Sequence, residues 1–152
     1  MAVRPKVTPL AVEAGWTLLP PVDDQPPGTE RVVMVVDDSP TIRKAVSVGL
    51  EAEGYHVVTA VDGLDALRKL DDVRPDLILL DITMPGMDGY KLCRTVRSRS
   101  KTKAVPVVML SGKDGFFDKV RGKMAGCTDY ITKPFATKAL LDTVAQHCGL
   151  PK

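Results

Sequence analysis

The sequence Asp76-Leu-Ile-Leu-Leu-Asp-Ile-Thr-Met-Pro-Gly-Met-Asp-Gly89 joins a short apolar run to a turn-forming segment. Four consecutive aliphatic residues, Leu77 to Leu80, leave no polar face for water, which predicts a strand covered on both sides, as central parallel strands are. Asp81 ends this strand, and the Pro and Gly residues after it predict a turn into a helix capped by Asp88. We therefore expect Asp81 at the carboxyl end of a buried strand, where open α/β sheets bind ligands. The alternative is that this carboxylate only caps the loop.

Length and composition are those of an ordinary soluble chain with one core. The chain has 152 residues, of which 44% are hydrophobic, and a net charge of +2. It has no apolar run of membrane-spanning length, and residues 1–9 contain no apolar stretch, so we expect a cytoplasmic protein without membrane insertion. The three cysteines form no CxxC pair, which fits reduced thiols better than disulfides.

Residues 1–30 differ in composition from the rest of the chain. They contain six of the twelve prolines and carry a net charge of −2, which leaves +4 on residues 31–152. This composition predicts an extended or disordered arm, followed by one folded domain at residues 31–150. The alternative is a short docking element around Trp16, within the apolar stretch from Leu10 to Leu19.

From residue 31 onward, apolar strands alternate with amphipathic helices. Val32–Val36 predicts a second fully buried strand, and Ser39 and Pro40 then open a helix that ends at Gly54. Further strands are predicted at residues 55–60, 76–81, 106–110 and 129–132, and further helices at residues 62–72, 92–96, 116–124 and 140–148. Five such alternations with right-handed crossovers predict a doubly wound α/β fold, a parallel sheet with helices on both faces.

The polar residues at the ends of these strands are expected to meet. Because the carboxyl ends of parallel strands share one edge of the sheet, the residues that should converge on one crevice are Asp37, Asp38, Asp81, Ser111 and Lys133. Three clustered carboxylates repel one another and would be partly protonated without a counter-ion, so a cation is the natural ligand. With oxygen donors and no His or Cys nearby, a hard ion such as Mg²⁺ is favoured over Zn²⁺.

The segment from Arg94 to Lys103 contains five basic residues. It has no interleaved aromatic residues and no recognised binding motif, so a solvated helix end and loop is the better interpretation. We expect no nucleic-acid partner.

Taken together, these residues resemble the receiver domain of bacterial response regulators. The motifs that carry the resemblance are Asp37-Asp38, Asp81 with Met84-Pro85-Gly86-Met87-Asp88-Gly89, Ser111, and Lys133-Pro134-Phe135. The resemblance spans roughly residues 31–150. It implies a flavodoxin-like receiver fold, with five helices around a five-stranded parallel sheet of order 2-1-3-4-5.

The resemblance also implies how the site works. Asp81 would accept a phosphoryl group from a histidine kinase, so the protein is a phosphoacceptor that assists its own phosphorylation and dephosphorylation rather than a conventional enzyme. Asp37, Asp38 and Asp81 would hold Mg²⁺ together with the backbone carbonyl of Thr83. Lys133 would supply a cation for the phosphoryl oxygens.

Three further roles follow from the resemblance. Ser111 would donate a hydrogen bond to the phosphoryl group. Tyr130 would be an aromatic switch that moves inward with that hydroxyl, the alternative being a ring half-buried at a sheet edge. The bond between Lys133 and Pro134 is expected to be cis.

The expected output is a protein contact. We expect no effector domain after Lys152, and we therefore expect an effector protein to bind the face formed by the fourth helix, fifth strand and fifth helix. Residues 111–126 are more similar to single-domain regulators of type IV pilus twitching-motility systems than to transcriptional regulators. This favours motility or chemotaxis-like signalling. The resemblance also implies that Thr83 and Lys113 occupy positions that vary in the family and tune the loss of phosphate.

Two other functions could use the same residues. One is a metal-dependent phosphohydrolase with an aspartate nucleophile. Such enzymes usually need a cap over the site and a second acid two residues after the nucleophile. Thr83 stands at that second position, which argues against a phosphohydrolase. The other alternative is a receiver-like interaction module that is not phosphorylated. The full set of five site residues argues against that module.

Removal of residues 1–30 should change the free energy of unfolding of the remainder by no more than about 0.5 kcal/mol, because a loose arm contributes few packed contacts. Urea unfolding of the full chain and of a chain that begins at Arg31 measures the difference. A larger loss, or a blue-shifted emission from Trp16, would show that the arm packs and that the predicted boundary is wrong.

Overall fold

The computed structural model describes residues 31–82, 89–112, 123 and 125–151. In chain order its elements are β1 (Val32–Val36), α1 (Pro40–Ala52), β2 (His56–Ala60), α2 (Gly63–Leu70), β3 (Leu77–Asp81), α3 (Gly89–Ser98), β4 (Val107–Ser111), β5 (Asp129–Thr132) and α4 (Thr137–Cys148). None of the helices in these ranges is long and apolar enough to cross a membrane.

The five strands form one parallel sheet in the order β2-β1-β3-β4-β5, so the expected strand order is confirmed. The central strand is β3, which pairs with β1 through Val33 and Leu77 and with β4 through Ile78 and Val107. All five residues of β3 are buried. The apolar run that predicted a strand covered on both faces is therefore the middle of the sheet.

Side chains along each strand alternate between two apolar layers, because successive residues of a strand point to opposite faces. One layer contains Val33 and Leu79 of the sheet together with buried residues of α1 and α4. The other contains Met34 and Leu80 together with buried residues of α2 and α3. Helices thus cover both faces of the sheet, as the doubly wound fold requires.

The first two helices begin at side-chain caps. Ser39 Oγ accepts a hydrogen bond from the N–H of Ile42 at 3.2 Å, and Pro40 occupies the first turn of α1. Asp62 caps α2 by accepting from the N–H of Asp65 at 2.8 Å. After α1 the chain turns through Gly54, whose φ of +104° is a conformation that favours glycine. These caps place the loops that follow β1 and β2.

The three cysteines, Cys93, Cys127 and Cys148, are free thiols, as predicted. Burial raises the pKa of Cys93 to about 11 and that of Cys148 to about 11. Burial also raises the pKa of Cys127. The thiols are therefore protonated at neutral pH and pack as small apolar side chains.

Some element boundaries differ from those predicted. The fourth strand begins at Val107 and extends to Ser111, one residue later than expected, because Pro106 has no N–H for the strand ladder. Asp62 is a cap and lies just before α2, which ends at Leu70. The predicted cap Asp88 lies outside the described residues, and so does nearly all of the predicted helix at residues 116–124. The four described helices correspond to the other four that were predicted.

Candidate functional site

Three carboxylates lie together at the carboxyl edge of the sheet. Asp37 and Asp38 follow β1, and Asp81 ends the neighbouring strand β3. One oxygen from each lies within 4.8 Å of the others, close enough for one ion to contact all three. Asp37 and Asp81 are buried, whereas Asp38 is exposed. The site therefore has two inner carboxylates and one outer carboxylate.

The alternation of the strands explains why the two inner carboxylates face the same way. The residues two and four positions before Asp37 and before Asp81 all belong to the layer under α1 and α4. Lys133 lies two positions after Ile131 of β5, which belongs to the same layer. Period-two alternation thus directs all three charged side chains toward one face of the sheet.

Lys133 links the two inner carboxylates. Its Nζ lies 3.4 Å from Oδ2 of Asp37 and 3.6 Å from Oδ1 of Asp81. The N–H of Lys133 donates to the carbonyl of Ser111 at 2.6 Å, and the bond between Lys133 and Pro134 is cis. Because the carboxylates are buried, this ammonium group offsets part of two charges that water does not reach.

The electrostatics of Asp37 favour a bound cation. Burial raises the pKa of Asp37 above its ordinary value, and the negative charge of Asp81 adds to the rise. Two contacts lower the pKa of Asp37 and so oppose this rise. The N–H of Ser39 donates to Oδ1 of Asp37 at 2.9 Å, and the ammonium group of Lys133 lies beside the carboxylate. The charged form of Asp37 is thus destabilised by folding, and a nearby positive ion would relieve that cost.

Ser111 contributes a buried hydroxyl at the same edge. It ends β4, and its register partner on β5 is Thr132, the residue before Lys133. Ser111 Oγ is buried and has no hydrogen-bond partner within the described ranges. A buried polar group left unpaired costs about 1–3 kcal/mol, so a ligand oxygen that accepts its proton would be favourable.

Tyr130 shares a face of the sheet with Ser111. Met109 pairs with Tyr130, and Ser111 lies two residues after Met109, so the side chains of Ser111 and Tyr130 project from the same side of adjacent strands. Tyr130 is half-buried and packs on the layer that contains Met109. This face is opposite to the one that carries Asp37, Asp81 and Lys133.

Gly89, the first residue of α3, lies close against the end of β3. A Cβ at residue 89 would lie 2.7 Å from Cα of Ile82 and 3.0 Å from the carbonyl oxygen of Asp81, so glycine lets α3 begin directly beside the strand end. The sequence identified Gly89 only as a turn former. Thr83, whose carbonyl the resemblance assigns to the metal, and Lys113 lie outside the described residues.

Arg43 is a site residue that the sequence did not suggest. Its Nη1 donates to the carbonyl oxygen of Asp37 at 2.7 Å. The only sequence signal is a basic residue one helical turn after the cap Ser39, and exposed helices carry many such residues. Its contact with the loop depends on how α1 is oriented after β1.

The fold and its carboxyl edge define a flavodoxin-like α/β domain with a site suited to a cation. Residues 33–145 match the family described as the response regulator receiver domain. The chain therefore belongs to the response regulator receiver domain family, a signalling module of two-component phosphorelays.

Relatives and solved structures agree with this family. Protein PilG of Pseudomonas aeruginosa is 47% identical over 115 residues, which cover 76% of this chain and 85% of PilG. The chemotaxis response regulator CheY4 of Vibrio cholerae superposes with a TM-score of 0.74 at 40% identity, over 78% of this chain and 98% of CheY4. The receiver domain of NtrX from Brucella abortus gives a TM-score of 0.72 at 33% identity, over 76% and 97% of the two chains.

Asp37→Asn should raise the free energy of unfolding at pH 7 in EDTA, by an amount of the order of 1 kcal/mol. The amide oxygen still accepts from the N–H of Ser39, while the buried charge is removed. Folding raises the pKa of Asp37, so the folded protein binds the proton of this carboxyl more tightly than the unfolded chain does. The free energy of unfolding of the wild type therefore falls as the pH rises from the unfolded-state pKa through the folded-state pKa. Asp37→Asn has no carboxyl at this position, so its free energy of unfolding should not show this fall.

Urea unfolding at pH 7 in EDTA measures the effect, with exposed Asp38→Asn as the control that should change stability less. A variant less stable than the wild type would show that the ion pair with Lys133 outweighs the cost of burying the charge.

Proposed function

We propose that Asp81 is the phosphoacceptor of this receiver domain and takes its phosphoryl group from a histidine kinase in a Mg²⁺-dependent reaction. The observation that carries this proposal is the position of Asp81. It is buried at the end of the central strand, 3.6 Å from Nζ of Lys133 and beside two other carboxylates. Membership of the receiver family supports the class of reaction.

The proposed reaction is a phosphoryl transfer between two side chains. An oxygen of the Asp81 carboxylate attacks the phosphorus of a phosphohistidine, the bond from phosphorus to nitrogen breaks, and the imidazole leaves as an acyl phosphate forms. Negative charge spreads over the phosphoryl oxygens during transfer, and the ammonium group of Lys133 is close enough to stabilise it. The unpaired hydroxyl of Ser111 can donate to one of these oxygens.

The proposed metal ligands are the carboxylates of Asp37, Asp38 and Asp81, with the backbone carbonyl of Thr83. These are hard oxygen donors, which suit Mg²⁺. When bound, the ion neutralises charge on the phosphoryl oxygens. The raised pKa of Asp37 supports a cation here, because the carboxylate is costly to keep charged without one.

A cleft beside the site supports the approach of a protein donor. It has a volume of about 550 Å³ and lies between α1 and the beginning of α4. Ile42, Ala45, Phe135 and Leu140 line it with apolar surface, and Lys133 lines it as well. A kinase helix that places its apolar face in this cleft would bring its histidine toward Lys133 and Asp81.

We place the output at a surface that includes β5, α4 and the predicted helix at residues 116–124. Ser111 and Tyr130 lie on one face of adjacent strands, so a hydroxyl drawn toward a phosphoryl group would change the space beside the tyrosine ring. The effector protein that reads this change belongs, we propose, to motility or chemotaxis-like signalling. The similarity to the chemotaxis response regulator CheY4 supports this pathway.

Incubation with acetyl phosphate and Mg²⁺ should add one phosphoryl group, and Asp81→Asn should abolish the addition because the nucleophile is lost. Intact-protein mass spectrometry gives the count, and Asp129→Asn is the control for an aspartate outside the site. Undiminished labelling of the Asp81 variant would reject the assignment. An unlabelled wild type would favour the interaction module that is not phosphorylated.

Ala45→Glu should slow phosphotransfer from a histidine kinase, because it places a charge in the apolar cleft, while labelling by acetyl phosphate stays unchanged. Phosphotransfer profiling against purified kinases of the source organism first identifies a donor. Ala52→Glu, at the exposed end of α1, is the matched control. Equal transfer rates for the two variants would exclude the cleft as the docking site.

A further inference from the structure

Arg43 holds the backbone between the first two carboxylates of the site. Its Nη1 donates a charge-assisted hydrogen bond of 2.7 Å to the carbonyl oxygen of Asp37. The N–H of Arg43 also donates to the carbonyl of Ser39 at 3.0 Å, so the residue lies in the first turn of α1. Long side chains on a helix lean toward its N-terminus, which explains how this guanidinium group reaches back to the loop.

The carbonyl that Arg43 holds belongs to the peptide group that joins Asp37 to Asp38. Because a peptide group is planar, the direction of its carbonyl sets the direction in which the chain continues to Asp38. Arg43 therefore acts on the geometry of the second aspartate more than on that of the first.

The two aspartates depend on this bond to different degrees. The N–H of Asp37 donates to the carbonyl of Ala60 at 3.2 Å, and its carboxylate accepts from Ser39 and contacts Lys133. Asp38 is exposed, and within the described ranges its carboxylate has no hydrogen-bond partner. The backbone therefore sets the position of the Asp38 Cβ, from which the carboxylate reaches toward the other two aspartates.

We propose that Arg43 is a positioning residue that directs the Asp38 carboxylate at the cation site. This inference rests on the proposed Mg²⁺ site. A second possibility is that Arg43 acts only as a positive charge near that site. The two possibilities predict opposite results, because removal of a like charge would strengthen Mg²⁺ binding, whereas loss of a positioned ligand weakens it.

The test is the dissociation constant of Mg²⁺ for Arg43→Met, measured by isothermal titration calorimetry on the full chain. Lys44→Met is the matched control, since it removes the same charge from the next, exposed position of α1. We expect Arg43→Met to weaken binding about tenfold, the lower end of what residues that orient metal ligands contribute. Lys44→Met should leave binding unchanged or slightly tighter.

All variants are compared at a temperature where urea unfolding shows them to be folded, so that a purely structural role of Arg43 would leave the dissociation constant unchanged. Arg43→Gln replaces Arg43→Met if the latter does not fold. Unchanged or tighter binding by the Arg43 variant overturns the proposal, as does an equal loss in Lys44→Met.

A second readout separates positioning from a direct role in the chemistry. In acetyl phosphate labelling, Arg43→Met should raise the half-saturating Mg²⁺ concentration by the same factor and leave the rate at saturating Mg²⁺ unchanged. A lower saturating rate with an unchanged half-saturation point overturns the inference. If the wild type binds Mg²⁺ and Arg43→Met weakens binding but Asp81 is not labelled, the inference stands and the proposed phosphoacceptor fails. If the wild type does not bind Mg²⁺, both fail.

Discussion

Asp37 and Asp81 are buried at the ends of adjacent strands, and the ammonium group of Lys133 lies 3.4 Å from one carboxylate and 3.6 Å from the other. One positive charge cannot balance two buried negative charges, and burial together with the charge of Asp81 raises the pKa of Asp37. The three carboxylates at this edge of the sheet could therefore hold a cation. A phosphoryl group on Asp81, as proposed, would compete with the two carboxylates for the ammonium group of Lys133.

The side chains of the candidate site lie on both faces of the sheet. Alternation along the strands directs Asp37, Asp81 and Lys133 to the side covered by α1 and α4, and Ser111 to the opposite side with Tyr130. The proposed ligand site and the proposed readout would thus lie on different faces, and we propose that Ser111, at the end of β4, links them. The Ser111 hydroxyl has no hydrogen-bond partner within the described ranges, so its rotation toward a phosphoryl group would break no such bond.

Sequence patterns predicted the parts of this arrangement that depend on one strand at a time. The apolar runs of β1 and β3 predicted both strands and the aspartates at their ends, because a strand buried on both faces has consecutive apolar residues. The reach of Arg43 and the fit of Gly89 against Ile82 were not predicted, since both depend on how a helix sits against the sheet. The start of β4 was predicted one residue too early, because Pro106 has no N–H for the strand ladder.

We propose that Asp81, Ser111 and Lys133 act on one phosphoryl group. The most direct test is a crystal structure of the protein with Mg²⁺ and beryllofluoride, a stable mimic of that group. We expect beryllium to be bonded to an oxygen of Asp81, with Oγ of Ser111 and Nζ of Lys133 each within hydrogen-bond distance of a fluoride. Beryllofluoride bound to another carboxylate, or bound to Asp81 with both side chains out of reach, would contradict it.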